Sequence, residues 1–179
     1  MIAREQLKTE DYLTAARRLS RMPREDLPRG IGIVRAVVRR ASGLVEAPIF
    51  GFNARVDAGA ARQNANTFGT ALGTFQWIAC SPTTLTPAKA DTTLSGEMTT
   101  LGFSRALASP AYTAPSSLGG TFTQVLTKTF LGSGGWSVNS IALFDQLAIG
   151  GTMFSEINLS STASGASGDS LAITYTITA

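Results

Sequence analysis

The strongest constraint on this chain is its last run, Ser170-Leu171-Ala172-Ile173-Thr174-Tyr175-Thr176-Ile177-Thr178. Leu171, Ile173, Tyr175 and Ile177 fall on one side of an extended backbone, and Ser170, Ala172, Thr174, Thr176 and Thr178 fall on the other. Strict alternation of large apolar against small or hydroxylated side chains has the period of a half-buried strand and not of a helix. Such a strand is strong enough to hold the terminus in a sheet, and the rest of the chain is asked to build its partner. Gly168-Asp169 directly before it reads as a turn, with the Asp169 carboxylate accepting from nearby backbone amides.

Further β-like runs recur from Pro48 onward between Gly, Pro, Ser and Thr breaks: Pro48 to Arg55, Thr70 to Cys80, Thr121 to Leu131, Trp136 to Asp145 and Thr152 to Leu159. Trp136, Val138, Ile141, Leu143 and Phe144 make one of these apolar on both faces, the pattern of a central strand. Leu94 to Ala108 reads equally as a short strand or a helix-like turn, and Ser109 to Gly120, with Pro110 and Pro115, reads as a loop. Gly132-Ser133-Gly134-Gly135 reads as a hairpin turn. Six or more strands separated by turn signals predict a mainly β protein, an antiparallel β-sandwich or jelly-roll, over residues 46–179.

Residues 1–45 differ in kind. They hold ten Lys/Arg and five Asp/Glu, a net of +5, against five and seven, a net of −2, over residues 46–179. Thr9 is placed to cap a helix from about Glu10 to Arg21, with acids in the first turn and arginines in the last, as the helix dipole prefers. Ile33, Val34, Val37 and Val38 are spaced as a helix face although β-branched residues favour a strand, and the spacing favours a helix ending at Gly43. The expectation is a short, basic, helical N-terminal arm of residues 1–45 whose thin apolar stripe orders against a partner. Tyr12, Leu13, Arg17, Arg18, Arg35, Arg39 and Arg40 are its candidate docking residues. Nucleic acid is the lesser expectation for this arm, because aromatic interleaving stops at Tyr12 and no nucleic-acid motif is present.

Several chemistries are excluded or disfavoured. With no histidine and a single cysteine, Cys80, the chain has no Ser-His-Asp or Cys-His catalysis, no intramolecular disulfide and no Cys/His zinc site. It has no phosphate loop and no G-x-S-x-G elbow. The acids of the β region (Glu46, Asp57, Asp91, Glu97, Asp145, Glu156 and Asp169) are scattered without a glycosidase-like context. No enzymatic activity and no cofactor are expected. No run approaches the roughly 18 apolar residues of a membrane span, and the first residues lack the apolar core of a signal peptide. Charged residues make up only 15% of the chain, well under the usual quarter, so its surface is covered by hydroxyl and small side chains or by partners.

The succession Asp91-Thr92-Thr93-Leu94-Ser95-Gly96-Glu97, Leu143-Phe144-Asp145, Gly150-Gly151-Thr152-Met153 and Gly168-Asp169-Ser170-Leu171-Ala172-Ile173-Thr174-Tyr175 resembles a β domain of tailed-bacteriophage structural proteins, found in head-decoration, neck and tail-associated components. The resemblance covers roughly residues 70 to 179. It implies a virion location, an assembly role without catalytic residues, capsid, neck or tail proteins as partners, and a homo-oligomer. A receptor- or carbohydrate-binding tip is the alternative, with Trp77, Trp136, Tyr112 and Tyr175 as the available aromatics and Tyr112 the best placed of them.

Overall fold

The computed structural model describes residues 31–59, 74–113, 123–148 and 151–178. Ten strands are present in them: β1 (Ile31–Arg39), β2 (Ile49–Phe52), β3 (Ala54–Arg55), β4 (Trp77–Ser81), β5 (Ala106–Leu107), β6 (Ser109–Thr113), β7 (Thr123–Leu131), β8 (Trp136–Phe144), β9 (Met153–Gly165) and β10 (Ser170–Thr178). They form two five-stranded antiparallel sheets, β2-β1-β10-β7-β6 and β3-β9-β8-β4-β5. The protein is mainly β.

The final strand sits at the middle of the first sheet. All nine of its residues pair with β1 on one edge and with β7 on the other. Leu171, Ile173, Tyr175 and Ile177 are buried, while Ala172, Thr174 and Thr176 keep partial exposure. The inward residues of both sheets join in one core: Val34, Ala36 and Val38 of β1, Leu126 and Phe130 of β7 and the β10 set meet Ile78 and Cys80 of β4, Ile141 and Leu143 of β8, and Ile157 of β9. Phe103 closes one end, stacked on Phe130 at 5.4 Å and tilted against Trp136 at 4.7 Å between ring centroids. Across the interior Tyr175 shares a hydrogen bond with Ser155, and burial pushes its hydroxyl pKa up to about 12.

Three expectations are corrected. Residues 31–39 are strand and not helix, because β1 is an interior strand: Val34, Ala36 and Val38 face the core while Val37 is covered on the opposite side. Two covered faces bring apolar residues together at spacings that also fit a helix. Among the described residues the β fold therefore begins at Ile31, ahead of the boundary at residue 46 expected from composition. Ser109–Thr113 is a strand and not a loop, since β6 is an edge strand, where the missing N–H of Pro110 costs no central pairing. Finally, Gly132 to Gly135 does not close a hairpin: β7 and β8 lie in different sheets, and the glycines carry the chain from one to the other. A Cβ at Gly132 would stand 2.2 Å from Trp136 Nε1, so this crossing admits no larger residue without displacing the indole.

Other readings hold. β8 is central, flanked by β9 and β4. Cys80 is a fully buried residue of β4 whose thiol pKa burial pushes up, leaving it an inert core hydrophobe. The helix expected over Glu10 to Arg21 lies outside the described residues.

Candidate functional site

The outward faces of the two sheets have different fates. On the β3-β9-β8-β4-β5 sheet, Ala79, Ala142, Phe144 and Met153 are covered by Val56 and Leu94, with Leu85 packed alongside. Leu85 and Leu94 belong to the segment 82–105, which connects β4 to β5 and lies across this sheet. Short polar side chains stitch it down. Asn158 accepts from the Leu85 amide and donates to the Leu85 carbonyl, both at 2.9 Å, so its side chain mimics a strand partner. Ser140 Oγ donates to Thr83 O at 2.9 Å and Asn139 Nδ2 to Pro82 O at 2.5 Å, while Ser81 Oγ donates to Ser95 O at 2.6 Å. Arg105 then closes the segment: Nε and Nη2 donate to the two oxygens of Glu97 at 2.9 and 2.6 Å, Nη1 to the carbonyls of Gln146 and Ala148 at 3.1 Å each, and its plane rests 3.5 Å from the Phe144 ring centroid.

Asp91 and Glu156 also meet on this side. Glu156 projects outward from β9, is only 2% exposed, and is hydrogen-bonded to Asp91 of the covering segment. Burial first, and then Asp91, push the Glu156 pKa up to about 7. Asp91 is held below its ordinary value by that bond and by the Ala88 amide, which donates to Asp91 Oδ2 at 2.7 Å.

On the β2-β1-β10-β7-β6 sheet the outward residues range from exposed, as at Arg35 and Arg39, to buried, as at Val37. The strand registers define its outward rows, because residues directly opposite one another project to the same side. One row runs Val45, Arg39, Ser170, Leu131. The next holds Val37, Ala172 and Thr129. Then come Phe50, Arg35, Thr174, Thr127 and Ser109, and after them Phe52, Ile33, Thr176, Val125 and Ala111. None of these residues is acidic, and Arg35 and Arg39 are both exposed. Val45, Phe52 and Leu131, at 54%, 48% and 63% exposure, add large apolar side chains at the margins.

Arg40 is not part of that open face. Its guanidinium bonds Glu46 and reaches Asp169 Oδ2 at 2.8 Å, tying the β1–β2 turn to the start of β10. Asp169 also accepts from the amides of Ala41 at 2.8 Å and Ala166 at 3.0 Å, the turn role expected for it. The Ala166 amide, then Arg40, hold its pKa down to about 2. The neighbouring Gly168 has φ +85°, a conformation open to glycine at little cost.

Of the candidate docking residues, Arg35 and Arg39 therefore share one face, Arg40 is occupied within the fold, and Tyr12, Leu13, Arg17 and Arg18 lie outside the described residues. Trp136 and Tyr175 are buried and Trp77 is partly buried, whereas Tyr112 is 63% exposed on edge strand β6. Among the described residues no group of three or more His, Cys, Asp or Glu side chains is placed to hold a metal, and no helix is long and apolar enough to cross a membrane. The sequence reading missed the Asp91–Glu156 and Glu97–Arg105 pairs. A signal for the second existed only in hindsight, as an acid and a base eight residues apart in a loop that otherwise carries little charge. No family model, curated protein or solved structure matches the chain.

Proposed function

We propose that this chain is a non-enzymatic structural component of a tailed-bacteriophage virion, a capsid-decoration or neck- or tail-associated protein that acts by protein–protein assembly. In this reading the two sheets form an antiparallel β-sandwich, the protein works as a homo-oligomer among other virion proteins, and residues 1–30, carrying Tyr12, Leu13, Arg17 and Arg18, are its docking arm.

The observation that carries the reading is the contrast between the two outward faces. One is sealed by a stitched segment over its own small apolar cluster, while the other presents the exposed Val45, Phe52 and Leu131 and the half-buried Ile33 and Val125 among hydroxyls and two exposed arginines. Strands about 4.8 Å apart that rise about 3.3 Å per residue, nine residues long in β1, β10 and β7 but four in β2 and five in β6, give a face of roughly 570 Å². That is about seven-tenths of the ~800 Å² per partner of a stable protein interface. Aromatic and arginine side chains on a largely uncharged ground are the composition such interfaces favour.

The test is incorporation into particles. Arg35→Glu combined with Arg39→Glu alters two exposed side chains and leaves the core intact; its occupancy in particles is expected to fall at least tenfold, and normal occupancy would overturn the role of this face. The arm is tested separately by a chain beginning at Ile31. A cut at residue 45 would instead remove β1, which pairs with both β2 and β10, and so would report on folding.

A receptor- or carbohydrate-binding tip is the second reading, favoured by Tyr112, exposed on an edge strand beside Pro110. Binding on a glycan array that is lost in Tyr112→Ala would select it.

A further inference from the structure

We propose that Asp91 and Glu156 form a proton-sharing latch that holds the middle of segment 82–105 on the outward face of its sheet, so that loss of the shared proton loosens the segment locally. Ionised carboxylates are acceptors only, so two of them in one hydrogen bond require a proton between them. The partners sit on different elements, Glu156 on β9 and Asp91 in the covering segment, and the bond therefore joins segment to sheet. Glu156 Oε1 is buried without a hydrogen-bond partner, which a neutral carboxyl tolerates far better than a carboxylate. The raised Glu156 and lowered Asp91 agree with the proton residing on Glu156.

Apart from the Ala88 amide, which favours the ionised form to a smaller extent, the surroundings offer little to replace that proton. Asp91 is the charged group that faces Glu156 from the covering segment, and the residues paired with Glu156 on β3 and β8 are Ala54 and Ala142. The Glu97–Arg105 pair on the same side is closed on itself, with Arg105 giving its further donor to backbone carbonyls. Asp57 meets this stretch through its backbone, its N–H donating to Lys89 O at 2.8 Å, and Lys89 is exposed. The other stitches, from Asn158, Ser140, Asn139 and Ser81, are neutral and indifferent to pH. Loosening is therefore confined to the stretch around Ala88 to Asp91, which contains Lys89.

Tryptic cleavage after Lys89 in the full chain reads this directly. Fragments are quantified by mass spectrometry from pH 6 to 8.5, and rates are normalised to an unstructured lysine peptide. If opening is linked to one proton, the wild-type rate rises by up to about tenfold per pH unit above the midpoint of the latch. Glu156→Gln, which keeps a neutral group in place, is expected to remain slow and flat across the range. A flat wild-type profile overturns the latch, as does a rise that persists in Glu156→Gln. Suppression of the rise by added calcium at pH 8 also overturns it, since the pair would then be a cation site. Should the variant fail to fold, the wild-type protein decides by carbon-13 titration of the Glu156 carboxyl: a midpoint near 7 supports the latch, and one below 5 overturns it.

Discussion

Asp169 shows how much one residue can be read for, and where the reading stops. A Gly-Asp-Ser start to a strand announces a turn carboxylate, and the amide bonds to Ala41 and Ala166 match that expectation. Its ion pair with Arg40 had no local signal, because the partners stand 129 residues apart and only the β1–β10 pairing brings them together. The pairing makes a pH prediction. A carboxylate held near 2 in the fold and near 3.8 in the unfolded chain adds stability that is present above pH 4 and is lost as pH falls through 2. Asp169→Asn should lower the melting temperature at pH 6 and flatten its fall between pH 4 and 2, as calorimetry would record. Phe103 is the opposite case, an aromatic in an ambiguous stretch that proves to be fully buried at the end of the core. Phe103→Ala empties a site lined by Phe130 and Trp136 and should cost about 3–5 kcal/mol in urea denaturation.

At the scale of elements, legibility followed exposure. Strands with one covered and one open face, β10 above all, announced themselves by alternation, whereas β1 did not, because both of its faces are lined with apolar residues. What argued for strand in β1 was its β-branched content, the weaker signal set against spacing. The covering segment 82–105 was legible as a loop from its prolines and threonines, but its role was not. Its attachment depends on side chains of β8 and β9 that reach its backbone, such as Asn158, 73 residues from Leu85. Asn158→Asp turns the donor facing Leu85 O into an acceptor, leaving that carbonyl opposite a negative charge. The expected loss is about 1–3 kcal/mol, the range for an unmade buried hydrogen bond, measured by urea denaturation. Arg105→Lys should act similarly, since an ammonium cannot hold both Glu97 oxygens and two carbonyls while lying flat on Phe144.

For the whole molecule, the mainly β class followed from alternation and turn spacing, but the difference between a sealed and an open face did not, because it depends on which sheet the covering segment crosses. The same arrangement sets how stability responds to pH. The Glu156 pKa rises from 4.5 to about 7 in the fold. As pH climbs through that interval the unfolded chain releases this proton first, so the folded state is the one that binds more protons and stability falls. The slope reaches at most ~1.4 kcal/mol per pH unit for a single group. Asp169 and Asp91 act in the other direction, since both are depressed and lose their contribution in acid. The two limbs meet just above pH 4, so stability should peak there and decline by pH 7, below the neutral range where many proteins are most stable. Urea midpoints from pH 3 to 9 would trace the curve, and Glu156→Gln should remove the decline from 4.5 to 7 while leaving the acid limb in place. A wild-type midpoint that is level across that interval would mean that Glu156 ionises in the fold as it does in water, and that burial under the covering segment does not govern its proton.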